Sequence, residues 1–370
     1  MSMDNNLTPE MVLNSINEGV YVTDTDRKIV YWGKSAERIT GWTAEEVVGK
    51  HCHDGVLCHV DKDGHVLCGE SYCPLYRSIV TGKSSNAPIV MFAKTKSGSR
   101  VPLQVAVSPL RNAAGEVVGG VETFRDLTDE FGDIERAHKI QSLTLQNDLA
   151  PDPRIRFATR YVPHDVIGGD YYAIAKLSSD RYGLFLADVM GHGVSAALYT
   201  MFLSSLWGSY HHLLAEPARF AQAVGDRLHV LIQEDEPFAT GLCGLFDLKG
   251  GVLRLVGAGN PPPLVRRADG SWENPRVAGL PLGMFKASEY EETVVPLRGG
   301  DCVFFFTDGA IEVADSRGTC LGVEGLKRIL REAGYPADGP DFDALETKLL
   351  TASDRIRFDD DVTFIDVHMT

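Results

Sequence analysis

The chain predicts an α+β protein of two domains joined by a helix. Three observations carry this. Its 370 residues are long for one core and comfortable for two. Residues 8–128 read as two strands, short helices and three more strands. Residues 155–370 read mostly as strand-like runs with helices between them. Apolar residues make up 44% and charged residues 24%, an ordinary globular balance that argues against wholesale disorder.

The formal net charge of −15 disfavours binding to a phosphate backbone, so no nucleic-acid partner is expected. No apolar run reaches the length of a membrane span, and Met1 to Glu10 lacks a secretion signal. The seven cysteines are unevenly placed, four of them between Cys52 and Cys73. A reduced, cytoplasmic protein fits this pattern.

In order along the first domain, Met11, Val12 and Ile16 give a short helical stripe. Gly19–Asp24 and Lys28–Trp32 are strands around an Asp26-Arg27 turn. Helical pieces follow at Ala36–Ile39 and Ala44–Val48. Strands are then expected at Ile89–Lys94, Val101–Pro109 and Val117–Phe124, separated by Ser/Gly and Asn/Gly turns. The segments Val20-Tyr21-Val22-Thr23-Asp24, Ile29-Val30-Tyr31-Trp32, Ser35 to Trp42 and Glu45 to Lys50 resemble the opening of a PAS domain. Gly119 to Thr128 is similar to the last PAS strand and its exit.

Residues 129–150 carry apolar side chains at Phe131, Ile134, Ile140, Leu143, Leu145 and Leu149, an amphipathic helix ended by Pro151 and Pro153. Such a stripe either pairs with its twin, giving a homodimer through the sensor and linker, or docks on its own second domain. Its apolar positions Ile140 and Leu143 are expected to influence activity.

In the second domain, strands are expected at Gly183–Ala187, Leu242–Asp247, Val252–Ala258, Val303–Thr307 and Val362–His368. Helices are expected at Val194–Tyr210, Pro217–Gln233, Val323–Ala333 and Phe342–Ala352. Four aspartates stand in Gly-rich or acidic turns beside these runs: Asp170 in Gly168-Gly169-Asp170-Tyr171-Tyr172, Asp188 in Asp188-Val189-Met190-Gly191-His192-Gly193, Asp308 in Thr307-Asp308-Gly309, and Asp360 in Asp359-Asp360-Asp361-Val362-Thr363. Singly, each reads first as a turn or a helix cap. Gathered at strand ends, they make a hard-oxygen cage for Mg²⁺ or Mn²⁺, and two such ions activate a water against a phosphate ester.

These motifs, with Arg160-Tyr161-Val162-Pro163, Gly257 to Pro263, Leu280-Pro281-Leu282-Gly283 and Thr307 to Glu312, look like the PPM-type serine/threonine phosphatases, in particular their SpoIIE-type branch that controls sigma factors. The resemblance implies a β-sandwich flanked by helices. It implies two Mn²⁺ or Mg²⁺ ions held by Asp170, Asp188, the Val189 carbonyl, Asp308 and Asp360. It implies a phosphorylated anti-sigma-factor antagonist as substrate. Asp360 is preferred to Asp359 or Asp361 on its spacing to Val362-Thr363. His192 is a candidate general acid, or else an outer-shell residue. The branch often has an acidic residue where this chain has Ala173, which puts water positioning in doubt. No phosphate-gripping arginine stands in the motifs.

His51, Cys52, His53, Cys58, His59, His65, Cys68 and Cys73 crowd the first domain. Cys52, His59, Cys68 and Cys73 are the preferred ligand set for zinc or iron, or a redox pair. The plain alternative is a set of reduced, unligated thiols. For the whole chain the leading reading is a signal-regulated phosphatase. The alternatives are a pseudophosphatase that binds its partner without chemistry, and a metal or redox sensor with an output scaffold.

Overall fold

A computed structural model describes the chain apart from residues 1–7, 62–63, 70–71, 86–88, 146–148, 192, 232–237, 315–317, 337–338 and 354–357. The chain divides into two compact units, residues 1–133 and 134–370.

The first unit runs α1 (Pro9–Ser15), β1 (Gly19–Asp24), β2 (Ile29–Trp32), α2 (Lys34–Thr40), α3 (Ala44–Val47), α4 (Pro74–Thr81), β3 (Ile89–Lys94), β4 (Arg100–Arg111) and β5 (Val117–Asp126). The strands form one antiparallel sheet of order β2-β1-β5-β4-β3. The turn between β1 and β2 closes on Asp24, whose carboxylate accepts from the amides of Asp26 and Lys28. Tyr21, Trp32 and Phe124 meet in the core under Leu75 and Ile79 of α4. Gly120 lets α4 lie close on β5, since a Cβ there would come within 2.6 Å of Leu75.

Helix α5 (Thr128–Thr144) crosses the boundary between the units. Ile140 and Leu143 are 53% and 58% exposed, so the linker's apolar stripe is not spent on its own second domain at these positions. The helix buries a polar residue instead, Gln141 at 1% exposure.

The second unit continues with β6 (Ile155–Val162), β7 (Asp170–Ser178), β8 (Arg181–Val189), α6 (Val194–Tyr210), α7 (Pro217–Leu231), β9 (Ala239–Asp247), β10 (Val252–Ala258), β11 (Leu264–Arg266), β12 (Trp272–Glu273), β13 (Thr293–Pro296), β14 (Cys302–Phe306), α8 (Gly322–Glu332), α9 (Phe342–Ser353) and β15 (Val362–Met369). Two antiparallel sheets result, of order β13-β10-β9-β8-β7 and β12-β11-β14-β15-β6.

β14 explains the layering. Val303 and Phe305 point into the core shared with Phe246, Leu253 and Leu255 of the facing sheet. Cys302, Phe304 and Phe306 point the other way, under Leu326, Ile329 and Leu330 of α8 and Leu345 and Leu349 of α9. A strand covered on both faces must be apolar throughout, which is why Cys302-Val303-Phe304-Phe305-Phe306 lacks alternation. The first sheet is covered likewise, by Leu203 of α6 and by Phe220, Val224 and Leu228 of α7 at helical spacing. The expected strands and helices of this unit are all present. β6, β7, β11, β12 and β13 are additions. Asp170 and Asp188 lie within strands rather than turns, because the Gly168-Gly169 loop hands Asp170 straight into the β7–β8 ladder.

Candidate active site

Asp170 opens β7 and sits directly opposite Asp188, one residue before the end of β8. In the other sheet, Asp308 follows β14 and Asp360 precedes β15, which pairs with β14. Both strand pairs therefore deliver their aspartates to one end of the sandwich.

Asp170 is 1% exposed. Its Oδ2 accepts from Thr363 Oγ1 at 2.6 Å and from Thr307 Oγ1 at 2.9 Å. Its Oδ1 is buried with no hydrogen-bond partner among the described residues. Burial, then the charges of Asp188 and Asp361, hold its pKa well above the ordinary carboxylate range. Burial first, then Asp308, Asp360 and Asp361, push Asp188 up to about 8, and Asp188 shares a hydrogen bond with Asp308. Asp308 is raised by burial and then by Asp360. Glu312 is raised by burial and by Asp308 and Asp360. Asp188 and Asp308 thus face each other with Asp360 beside them, and this crowding favours protons over charge on Asp188 and Asp308.

Asp361 takes a different position from its neighbour Asp360. It is 2% exposed, and its carboxylate accepts from Gly169 N at 2.5 Å and His164 N at 2.7 Å. A Cβ on Gly168 would lie 2.2 Å from the Asp361 Oδ1, so glycine is required for this closure. Burial raises Asp361, and the two backbone donors work against that rise. The Val189 carbonyl stands over Gly169, where a Cβ would meet it at 2.7 Å, and Val189 N donates to Gly169 O at 3.0 Å.

Gln141 of α5 grips the same loop from the other side. Its Nε2 donates to Gly168 O at 2.7 Å and to Thr200 Oγ1 of α6 at 2.9 Å, and Gly168 N donates to its Oε1 at 3.3 Å. Asn260 is buried near the end of β14, with its Nδ2 donating to Phe306 O at 3.2 Å. Sequence reasoning assigned no role to Gln141, Asn260, Thr307, Asp361 or Thr363. His192 lies outside the described residues. Ala173 is buried within β7, opposite Phe185.

Among the described residues, no three His, Cys, Asp or Glu side chains are drawn together into a ready-made ion cage. The donor set nevertheless fits divalent cations. It consists of hard carboxylate oxygens, one of them buried without a partner, whose mutual repulsion positive charge would relieve.

Among the described residues, the expected sensor set Cys52, His59, Cys68 and Cys73 is not drawn together into a metal-holding group. Cys52 and Cys73 are buried in the apolar core of the first unit and behave as small hydrophobes. The Cys73 sulfur caps α4 by accepting from Tyr76 N, and the Cys68 sulfur accepts from His59 N at 3.0 Å. Burial raises the Cys52 thiol and pushes Cys68 up to about 12, so neither is a ready thiolate. His59 faces Glu122 instead, Nε2 to Oε1 at 3.6 Å, with both side chains buried.

The second unit resembles known phosphatase domains. The chain is 29% identical over 223 residues to the phosphoserine phosphatase RsbP of Bacillus subtilis, covering 60% of this chain and 52% of that one. It is 23% identical over 216 residues to the phosphoserine phosphatase RsbU of the same organism, covering 57% of this chain and 63% of that one. It therefore spans between half and two-thirds of the length of these relatives. The solved SiaA-PP2C domain of Pseudomonas aeruginosa superposes with a TM-score of 0.55 at 21% identity, over 65% of this chain and 98% of that one, which shows a shared fold. Residues 13–130 match the PAS fold family. Residues 178–370, more than half of the chain, match the stage II sporulation protein E family, and the chain belongs to that SpoIIE family.

Proposed function

We propose that residues 134–370 form a divalent-metal-dependent protein serine/threonine phosphatase. Its substrate is phosphoserine or phosphothreonine on a protein of the anti-sigma-factor-antagonist type, and the PAS unit controls it. The observation that carries this reading is the delivery of Asp170 and Asp188 from one sheet, and Asp308 and Asp360 from the other, to one end of the sandwich, where burial and repulsion disfavour the charges of Asp170, Asp188 and Asp308. The likeness to RsbP and RsbU supports the same chemistry.

Asp170, Asp188, Asp308, Asp360 and the Val189 carbonyl are the groups that would hold the ions. Bound there, two divalent cations would offset the repulsion among these carboxylates and would acidify a water at neutral pH. The chain's own part is positioning. Thr307 and Thr363 hold Asp170 by one oxygen and leave the other free. Asp361 and Gln141 fix the Gly168-Gly169 loop that leads into Asp170. The leaving serine or threonine oxygen takes a proton from solvent or from His192. A homodimer through the sensor and the exposed Ile140 and Leu143 of α5, in the cytoplasm, completes the proposal. Among the described residues no helix is long and apolar enough to cross a membrane.

The test is phosphate release from p-nitrophenyl phosphate, and from a phosphorylated antagonist protein, with Mn²⁺ present. Asp188→Asn and Asp308→Asn should each lower the rate by more than about a hundredfold. A wild-type rate no higher than that of Asp188→Asn sinks the enzymatic reading. Retained binding of the phosphorylated partner would then favour the pseudophosphatase alternative.

A further inference from the structure

Asn260 is buried, at 5% exposure, where the chain passes from β10 in the first sheet to β11 in the second. Three prolines follow it, Pro261-Pro262-Pro263, before β11 begins at Leu264.

This crossing leaves one carbonyl without a strand partner. Thr307 N donates to Thr363 O of β15, so the peptide groups of Phe306, one residue earlier, face β11 instead. β11 pairs with β14 through Leu264 opposite Phe304. The same register carried two residues further sets Pro262 opposite Phe306. Proline has no N–H, and its two neighbours lack one as well. The ladder therefore offers Phe306 O no donor.

The Asn260 side chain supplies it. Its Nδ2 donates to Phe306 O at 3.2 Å and to Pro261 O at 3.1 Å. An atom that faces two carbonyls is the nitrogen of the amide. Oδ1 is buried with no partner among the described residues, so the donor end is what the fold uses. Phe306 closes β14, Thr307 after it donates to Asp170, and Asp308 comes next. One amide thus fixes the start of the turn that carries Asp308 and steadies Asp170 through Thr307.

We propose that Asn260 is a positioning residue of the metal site, whose side-chain amide replaces the strand hydrogen bond that Pro262 cannot make and so holds the Thr307-Asp308 turn in place. The part concerning ions rests on the phosphatase reading, whereas the hold on the turn does not. Asn260→Leu bares Phe306 O but also removes the orphaned Oδ1, and these two effects offset each other. The variant should therefore melt close to wild type while the site loosens, a pattern that a merely structural residue would not give.

Two measurements on the full chain test this. By hydrogen–deuterium exchange without metal, the amides of residues 307–312 should exchange at least about tenfold faster in Asn260→Leu, with β9 unchanged. Asn260→Val, smaller and equally without a donor, should do the same if the leucine variant does not fold. By calorimetric titration, Asn260→Leu should bind Mn²⁺ about 10–100-fold more weakly than wild type. Unchanged exchange at 307–312 overturns the proposal. So does a variant that binds Mn²⁺ as tightly as a wild type that binds it, and that result leaves the phosphatase reading standing. A wild type that binds no Mn²⁺ overturns that reading and the metal-site role together.

Discussion

Thr363 donates its hydroxyl to Asp170 Oδ2 at 2.6 Å, which joins a residue near the end of the chain to one 193 positions earlier. Thr307 donates to the same oxygen, and Thr363 N donates in turn to Thr307 Oγ1 at 2.9 Å. The free Oδ1 is thereby aimed rather than mobile. Thr363→Val should weaken Mn²⁺ binding by roughly 10–100-fold while the far-ultraviolet circular dichroism stays unchanged. Calorimetric titration with Mn²⁺ reads this directly, and an unaltered affinity would remove the threonine pair from metal binding.

Adjacent aspartates should behave oppositely. Asp361→Ala strands the amides of Gly169 and His164, a cost of about 1–3 kcal/mol, so the metal-free protein should melt several degrees lower. Asp360→Asn removes one charge from the crowd around Asp188 and Asp308, so the metal-free melting temperature should hold or rise while Mn²⁺ affinity falls. The reverse pattern in a melting series would make Asp361 the ligand.

Gln141 and its exposed neighbours also separate. Gln141→Leu leaves Gly168 N and Gly168 O unpaired in a buried loop and should cost about 1–3 kcal/mol, with altered phosphatase rate. Ile140→Ser and Leu143→Ser touch exposed positions and should leave the melting temperature within a degree or two. Their expected effect is on the dimer, read by sedimentation. A monomeric wild type would end the dimer proposal.

The sensor core should respond to pH through Glu122 and His59. Burial raises Glu122 to about 8, against which a hydrogen bond from Tyr21 acts weakly. Burial, then Arg100, lowers His59 to about 4. A raised carboxyl stabilises the fold below its ordinary pKa and loses that contribution as pH climbs through 8. A lowered imidazole favours the fold above its ordinary value and loses that contribution as pH falls towards 4. The two slopes oppose each other below pH 6.5, and Glu122 alone acts from 6.5 to 8. Stability should fall over that interval by up to about 2 kcal/mol, and Glu122→Gln should flatten the curve. Thermal unfolding of the full chain at three pH values checks it, and parallel slopes for both proteins would refute it.

The architecture was largely legible because apolar periodicity reports burial directly. The run Val303 to Thr307 reads as a strand, and the structure has one at Cys302–Phe306, covered on both faces. The position of Asp170, Asp188, Asp308 and Asp360 at or beside strand ends was legible because each adjoins an apolar run. Asp361 was not, since three consecutive aspartates look alike until the strand decides which one turns inward. Gln141 was hidden because a helix is read by its apolar stripe, and here the buried contact is polar. The cysteines show what crowding along a chain leaves open. Their crowding along the chain suggested ligation, but loop direction and an apolar core sent Cys52 and Cys73 inward as packing residues.

Gln141 also sets how the linker helix moves. A rotation by one residue, about 100°, would withdraw its amide from Gly168 and Thr200 and offer Ile140 or Ser142 in its place. Ile140 has no polar group, and the single O–H of Ser142 cannot make the two donations that the Gln141 amide makes to Gly168 and Thr200. The helix therefore has one registered seat and no graded neighbours, so torque applied to it either leaves the loop latched or releases it completely.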